Sequence, residues 1–177
     1  MLCKGFAPLL GETAKVLILG SMPGGESLRQ QQYYAFERNS FWWIMGELFD
    51  VGWQLPYEKR VAKLTSLQVA VWDVLASCER EGSLDSAIDS ASEEVNDFVG
   101  LLQEQPIQWV LFNGGKAEQA WKRLVRPMLQ ASQVKEPHTL KMPSTSPAFA
   151  AMSAQVKLQR WRAALSATRI FPNLLVK

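Results

Sequence analysis

The amino-acid sequence predicts an α/β fold: a three-layer α/β/α sandwich with a central, mostly parallel, four-stranded sheet. Three observations lead there. Four short runs of apolar residues each close on a polar or turn residue, and the segments between them have helical apolar spacing. The 177 residues suit a single domain over residues 1–177, with one core that buries roughly two-thirds of the surface of the unfolded chain. Residues 15–20 (Lys-Val-Leu-Ile-Leu-Gly) read as a strand buried on both faces. Val69–Asp73, Trp109–Asn113 and residues 139–142 repeat the pattern. Phe41, Ile44, Met45, Leu48 and Phe49 fall at i, i+3, i+4, i+7 and i+8 of a helix, and Val95, Phe98, Val99, Leu101 and Leu102 predict another before the third strand. Residues 117–129 and 153–168 complete the alternation, while residues 83–92 are polar enough for a surface loop.

In a sheet of this kind ligands bind beyond the carboxyl ends of the strands. Function is therefore expected in residues 21–39, 73–85, 113–116 and 143–149. Composition narrows the chemistry. Two cysteines and one histidine exclude a disulfide framework, a four-cysteine metal or iron–sulfur site and a histidine-rich metal site. No metal and no cofactor is expected. A net charge of +2 does not identify a nucleic-acid partner, although a local basic surface would serve one. No apolar run approaches a membrane span and no signal-peptide layout opens the chain, so a cytoplasmic protein is expected, nucleoid-associated in a bacterium.

Gly20-Ser21-Met22-Pro23-Gly24-Gly25 follows the first strand, where glycines and a proline permit a tight turn with outward amides. It has neither the lysine of a Walker loop nor a dinucleotide fingerprint, and a plain connecting turn is the alternative. Gln32-Tyr33-Tyr34-Ala35-Phe36-Glu37-Arg38-Asn39-Ser40-Phe41-Trp42 then concentrates aromatic faces beside a guanidinium and an amide, which is what a flipped base requires. Asn39 also fits a helix N-cap.

These blocks, with Trp72-Asp73-Val74-Leu75, Ser77-Cys78, Arg80, residues 82–86, Phe112-Asn113-Gly114-Gly115-Lys116-Ala117 and Pro143-Ser144-Thr145-Ser146-Pro147-Ala148, run in order from residue 20 to residue 148. Together they resemble the uracil-DNA glycosylase superfamily, and within it the deoxyinosine (hypoxanthine) glycosylase branch. The resemblance implies a monofunctional DNA glycosylase of base excision repair, metal-independent and without lyase activity, that hydrolyses the N-glycosidic bond of hypoxanthine and/or uracil. It implies damaged DNA as the partner of a monomer, with no protein partner evident. Asn39 would hold the attacking water or the base. Backbone amides of Ser21, Met22 and Gly24 would receive the departing base's carbonyl, and Tyr34 or Phe41 would stack on the base. Asp73 would read the base edge, unless it caps its turn, and Asn113 would also bind the base. Gly24, Ser144, Thr145, Ser146 and Phe149 would contact DNA, with Ser21, Ser144 and Ser146 hydroxyls on phosphates and Phe149 or Met142 as a wedge.

The pattern departs from that branch at Phe36 and Glu37, where His-Pro is expected, and at Phe149, where asparagine is more usual. The histidine of the last motif in related branches is absent, and His138 lies too early to replace it. Substrate identity is therefore left open, with a catalytically weak DNA-binding homologue or a free-nucleoside hydrolase as alternatives. Lys157, Arg160, Arg162 and Arg169 read either as a basic flank or as a solvated helix face. Trp42, Trp43, Trp72, Trp109, Trp121 and Trp161 read as packing residues.

Overall fold

A computed structural model describes residues 1–176. Four parallel strands, β2 (Val16–Gly20), β3 (Val69–Asp73), β6 (Trp109–Asn113) and β7 (His138–Met142), form a sheet in the order β3-β2-β6-β7. Val16, Leu17, Ile18 and Leu19 are all 0% exposed, so the central strand is apolar on both faces because helices cover both. Helices α2 (Phe41–Phe49) and α7 (Ala154–Ala167) pack on each other, and α4 (Phe98–Glu104) packs on α6 (Arg126–Ala131). Helix α5 (Gly115–Ala120) lies against β2, β6 and β7 and runs through a π-helical stretch, Trp121–Val125, into α6. The predicted three-layer architecture is the observed one.

Tryptophans fill the layers. Trp42, Trp121 and Trp161 are completely buried, and their ring N–H groups donate to Tyr33 O (2.8 Å), Glu136 Oε1 (2.7 Å) and Pro143 O (3.2 Å). Each ring thus contributes apolar area and still satisfies its one polar group.

A second, antiparallel sheet, β1-β4-β5, is made from β1 (Leu2–Lys4), β4 (Leu75–Glu79) and β5 (Glu94–Val95). Its strands are two to five residues long, too short for a periodic signal, and they depend on partners far away in sequence. Segment 73–85 is consequently half strand rather than all loop. Val95 belongs to β5, and the helix that follows starts only at Phe98, where the Asp97 side chain accepts from the Gly100 amide at 2.8 Å. Helix α3 (Tyr57–Ser66) buries only Arg60 and Leu64 and so shows no apolar stripe in the sequence. Helix α1 (Gly25–Gln30) is a short addition after the glycine turn.

The parallel register sets Gly20 beside Asp73 at the carboxyl edge, with Asn113 beside Met142 two strands away. His138 opens β7 at the opposite edge of the sheet, exposed, with its ring 4.8 Å from that of Trp109. It is a surface residue remote from the cleft described next.

Candidate active site

The loops beyond β2, β3, β6 and β7 enclose a cleft of about 580 Å3, lined by residues 20–27, Tyr33, Tyr34, Phe36, Asn39, Asp73, residues 83–85, Asn113 and residues 144–149. Its floor depends on one glycine. A Cβ at Gly20 would strike the Asp73 carboxylate and come 3.3 Å from the Tyr34 hydroxyl, so only glycine lets these two groups meet above the strand.

The loop after Gly20 is tied down along its length. Val74 N donates to Gly20 O (2.9 Å) and Leu75 N to Ser21 O (3.0 Å). The guanidinium of Arg80, only 1% exposed, donates to Pro23 O (2.6 Å) and Gly82 O (3.1 Å) and so clamps two loops of the cleft together. Ser83 Oγ accepts from Gly25 N at 3.0 Å. Among the described residues, the amides of Met22 and Gly24 have no acceptor within the chain. Met22 is itself buried in the lining, while a Cβ at Gly24 would meet open space.

Ser21 departs from its expected phosphate role. It is buried, and its hydroxyl donates to Asp85 Oδ2 at 2.6 Å, leaving it no freedom to grip DNA. Burial raises the Asp85 pKa, and the Ser21 hydrogen bond, Arg80 and Lys116 oppose the rise. Asp73 lies deeper. It is 4% exposed, its Oδ2 has no hydrogen-bond partner, and burial, reinforced by Asp85 and opposed by Arg80, pushes its pKa up to about 8.

The tyrosine pair divides its tasks. Tyr33 is buried scaffold: its hydroxyl donates to Ala7 O at 3.1 Å, and its amide donates to the Tyr57 hydroxyl at 2.9 Å. Tyr34 adopts φ 55°, a backbone conformation unusual for a large side chain, and this reversal turns its ring into the cleft. One face of Tyr34 stacks on Phe41, with centroids 4.0 Å apart, and its hydroxyl is buried without a partner. Phe41, 0% exposed, therefore lies beneath Tyr34 and does not line the cleft. Asn39 is half-buried in the lining. Its Oδ1 accepts from the Phe41 amide at 3.0 Å, capping α2 although Ser40 holds the formal cap position, and among the described residues its Nδ2 has no hydrogen-bond partner.

The fourth loop is held from three sides. Asn113 Nδ2 donates to Thr145 Oγ1 (2.9 Å) and Thr145 N donates to Asn113 Oδ1 (2.8 Å), so both ends of the amide are engaged by a residue that is 1% exposed. Thr145 O accepts from Ser40 N and Oγ. Lys157, expected on a basic flank or a solvated face, is instead buried and donates to Ser146 O at 3.1 Å. Gly114, at φ 102°, admits Ser144 within 3.0 Å of where its Cβ would be. Ser144 Oγ and Ser146 Oγ accept from Ser146 N and Ala148 N inside the loop. Met142 is 4% exposed and is excluded as a wedge, whereas Phe149 (36%) and Phe36 (43%) stand exposed at the rim. Arg38 is exposed and outside the lining.

Arg80 and Lys157 are the residues whose roles the sequence hid, since a buried cation that holds distant carbonyls has no local signature. Among the described residues, no group of three His, Cys, Asp or Glu is placed to hold a metal, and no helix is long and apolar enough to cross a membrane. What the cleft offers is amide donors, hydroxyls and carboxyl groups around a stacking surface.

Residues 7–165 match the model of the uracil DNA glycosylase superfamily. A hypoxanthine DNA glycosylase of Methanosarcina acetivorans is 41% identical over 130 residues, covering 72% of this chain and 80% of that protein. One from Methanosarcina barkeri is 38% identical over 116 residues, covering 64% and 72%. The solution structure of a Methanosarcina acetivorans protein described as a candidate uracil DNA glycosylase superposes with a TM-score of 0.75 at 36% identity, covering 92% of this chain and 96% of that one. The likeness spans the sheet and all four loops of the cleft, and the chain belongs to the uracil DNA glycosylase superfamily.

Proposed function

We propose that this protein is a monofunctional DNA glycosylase that releases a deaminated base, hypoxanthine and/or uracil, from DNA as the first step of base excision repair. One observation carries the reading: the unpartnered Nδ2 of Asn39 lines a cleft of about 580 Å3 at the carboxyl edge of the sheet, opposite a loop with free amides. The two hypoxanthine DNA glycosylases among its relatives support the choice of base.

Breaking the bond between C1′ and the base nitrogen builds positive charge on the sugar and negative charge on the base. The Asn39 amide orients the attacking water or the base; being neutral, it contributes by positioning rather than by taking a proton. The Met22 and Gly24 amides receive the carbonyl oxygen of the leaving base, a contribution worth roughly 10²-fold or more per good donor. Tyr34 covers one face of the base, and Asp73 meets its polar edge. Phe149 and Phe36 at the rim stack where the base has left the duplex, and the Ser144–Ser146 loop lies along the backbone. The protein acts as a monomer on DNA, in the cytoplasm or at the nucleoid, without metal or lyase chemistry.

A panel of labelled oligonucleotides, each with one hypoxanthine, uracil or xanthine, tests this in EDTA, with hot alkali to reveal abasic sites. Alkali-dependent breaks at hypoxanthine or uracil are expected. No break at any lesion sinks the reading. Activity that needs added metal, or a borohydride-trapped protein–DNA adduct, sinks the metal-free and lyase-free parts separately.

A further inference from the structure

The lining of the cleft contains three carboxyl groups, Glu26, Asp73 and Asp85, and no lysine or arginine. Glu26 pairs with Arg29 near the surface and Asp85 accepts from Ser21, but Asp73 has nothing on its Oδ2. The only histidine is at the far edge of the sheet. A base that leaves with the electron pair of its broken bond carries negative charge into this acidic space. Ionised carboxylates there would repel it at the moment the transition state needs help. Above Gly20 the Asp73 carboxyl, by its Oδ1, and the Tyr34 hydroxyl both approach the strand, and the other carboxyl oxygen, Oδ2, and the Tyr34 hydroxyl are buried without hydrogen-bond partners. Orphaned groups of that kind, with so little exposure, signal a ligand that completes them.

We propose, on the basis of the glycosylase reading above, that Asp73 works in its protonated form as the acid of this site: its O–H, beside the Tyr34 hydroxyl, donates to the oxygen-bearing edge of the leaving base. The C1′–N bond breaks and its electron pair moves into the ring and onto the carbonyl oxygen of the base. The Asp73 proton passes to that oxygen, giving a neutral enol that returns to the keto form in water. Water adds to C1′ and loses a proton to solvent, and Asp73 regains one as the product departs.

The surroundings suit a neutral acid. Around Asp73 stand Tyr33 and Tyr34 from the loop before α2, Asp85 and Arg80 from beyond β4, and Asn96, whose Nδ2 donates to the Asp73 backbone carbonyl at 2.8 Å. Arg80 is the one cation of this set, and two of its nitrogens are committed to backbone carbonyls. Burial and Asp85 outweigh it, holding the carboxyl protonated up to about pH 8. The Tyr34 hydroxyl is raised well above its ordinary value, first by burial and then by Asp73, with the neighbouring Asn113 amide, too poorly aligned to count as a hydrogen-bond partner, opposing the rise, and it remains a donor throughout.

Single-turnover base release from pH 6 to pH 10 tests this with wild type, Asp73→Asn, Asp73→Ala and Tyr34→Phe, each checked for folding by its melting curve. Wild type should lose about tenfold per pH unit above roughly pH 8, as expected for one acidic group. Asp73→Asn, a donor that neither titrates nor passes a proton, should start below wild type but lack this fall, so its rate relative to wild type should rise about tenfold per pH unit above roughly pH 8, a ratio in which ionisation of the base itself cancels. Asp73→Ala should lose at least ~10²-fold below pH 8, and Tyr34→Phe a smaller factor. A ratio of Asp73→Asn to wild-type rates that stays constant from pH 6 to pH 10 overturns the acid role while the glycosylase reading stands. Wild type that releases no base from any lesion overturns that reading instead, and the acid role with it. A carboxyl-carbon NMR titration that places Asp73 below pH 6 overturns the proposal independently of activity.

Discussion

Asn39 joins a structural and a chemical role in one amide, and two substitutions separate them. Its Oδ1 holds the Phe41 amide at 3.0 Å, while Nδ2 is free in the cleft. Alanine removes both functions. Loss of the cap costs about 1 kcal/mol, equivalent to roughly 2–4 °C in Tm for a domain of this size. Loss of the free donor should lower single-turnover base release by at least ~10²-fold, the scale of one well-aimed amide in a water-poor site. Aspartate keeps an oxygen for the Phe41 amide, and its charge suits a helix N-terminus, so Asn39→Asp should melt close to wild type. It should nevertheless be as inactive as alanine, because an oxygen replaces the donor and adds a negative charge to a cleft already lined by the carboxyl groups of Glu26, Asp73 and Asp85. Thermal melts and single-turnover kinetics on both variants provide the assay. Alanine within about twofold of the wild-type rate would reduce Asn39 to a cap; an active aspartate variant would show that its N–H group is not needed.

Gly20→Ala should disable the site without disturbing distant residues: the added Cβ strikes the Asp73 carboxylate, and β2 cannot shift because Val16–Leu19 are wholly buried. Overpacking of this kind costs about 1–3 kcal/mol, and unchanged denaturation and base release would contradict the geometry. Asp73 also makes stability depend on pH. Its pKa rises from 3.8 to about 8 on folding, so the folded chain binds an extra proton between those values and wild type loses stability as pH increases through that window, by at most about 1.4 kcal/mol per unit. Asp73→Asn should gain on wild type from pH 5 to pH 8 and level off above it; parallel melting curves across that range would refute the shift. Asn113→Ala strips two hydrogen bonds from buried Thr145 and should cost about 2–3 kcal/mol. It should also weaken binding to lesion-containing duplex in fluorescence anisotropy, and unchanged affinity would remove the 144–149 loop from the DNA contacts.

Much of the architecture was legible because it is written in local pattern. A strand buried on both faces must be apolar at consecutive positions, and a helix that packs by one stripe must repeat near 3.6 residues, so β2, β3, β6, α2 and α7 announce themselves. The same reasoning passed over β1, β4, β5 and α3, whose stabilising contacts are with residues remote in the chain. That the segments after β2, β3, β6 and β7 gather around one cleft could also be read without coordinates, because a parallel sheet delivers its strand ends to one edge.

The tertiary structure decided which members of those blocks face the cleft. Phe41 and Met142 were as plausible in the sequence as Tyr34 and Phe149, yet burial turns the first two into scaffold. Ser21 and Lys157, polar residues that a sequence places at a surface, are drawn inside by Asp85 and by the Ser146 carbonyl. The state of Asp73 was likewise invisible, since its pKa depends on desolvation and on charges at Asp85 and Arg80 that folding brings near. Local sequence determined the elements and the edge where chemistry gathers, because periodicity and turn chemistry act over a few residues. Burial, hydrogen-bond partners and electrostatic fields arise between residues tens of positions apart, and only the folded chain assigns them.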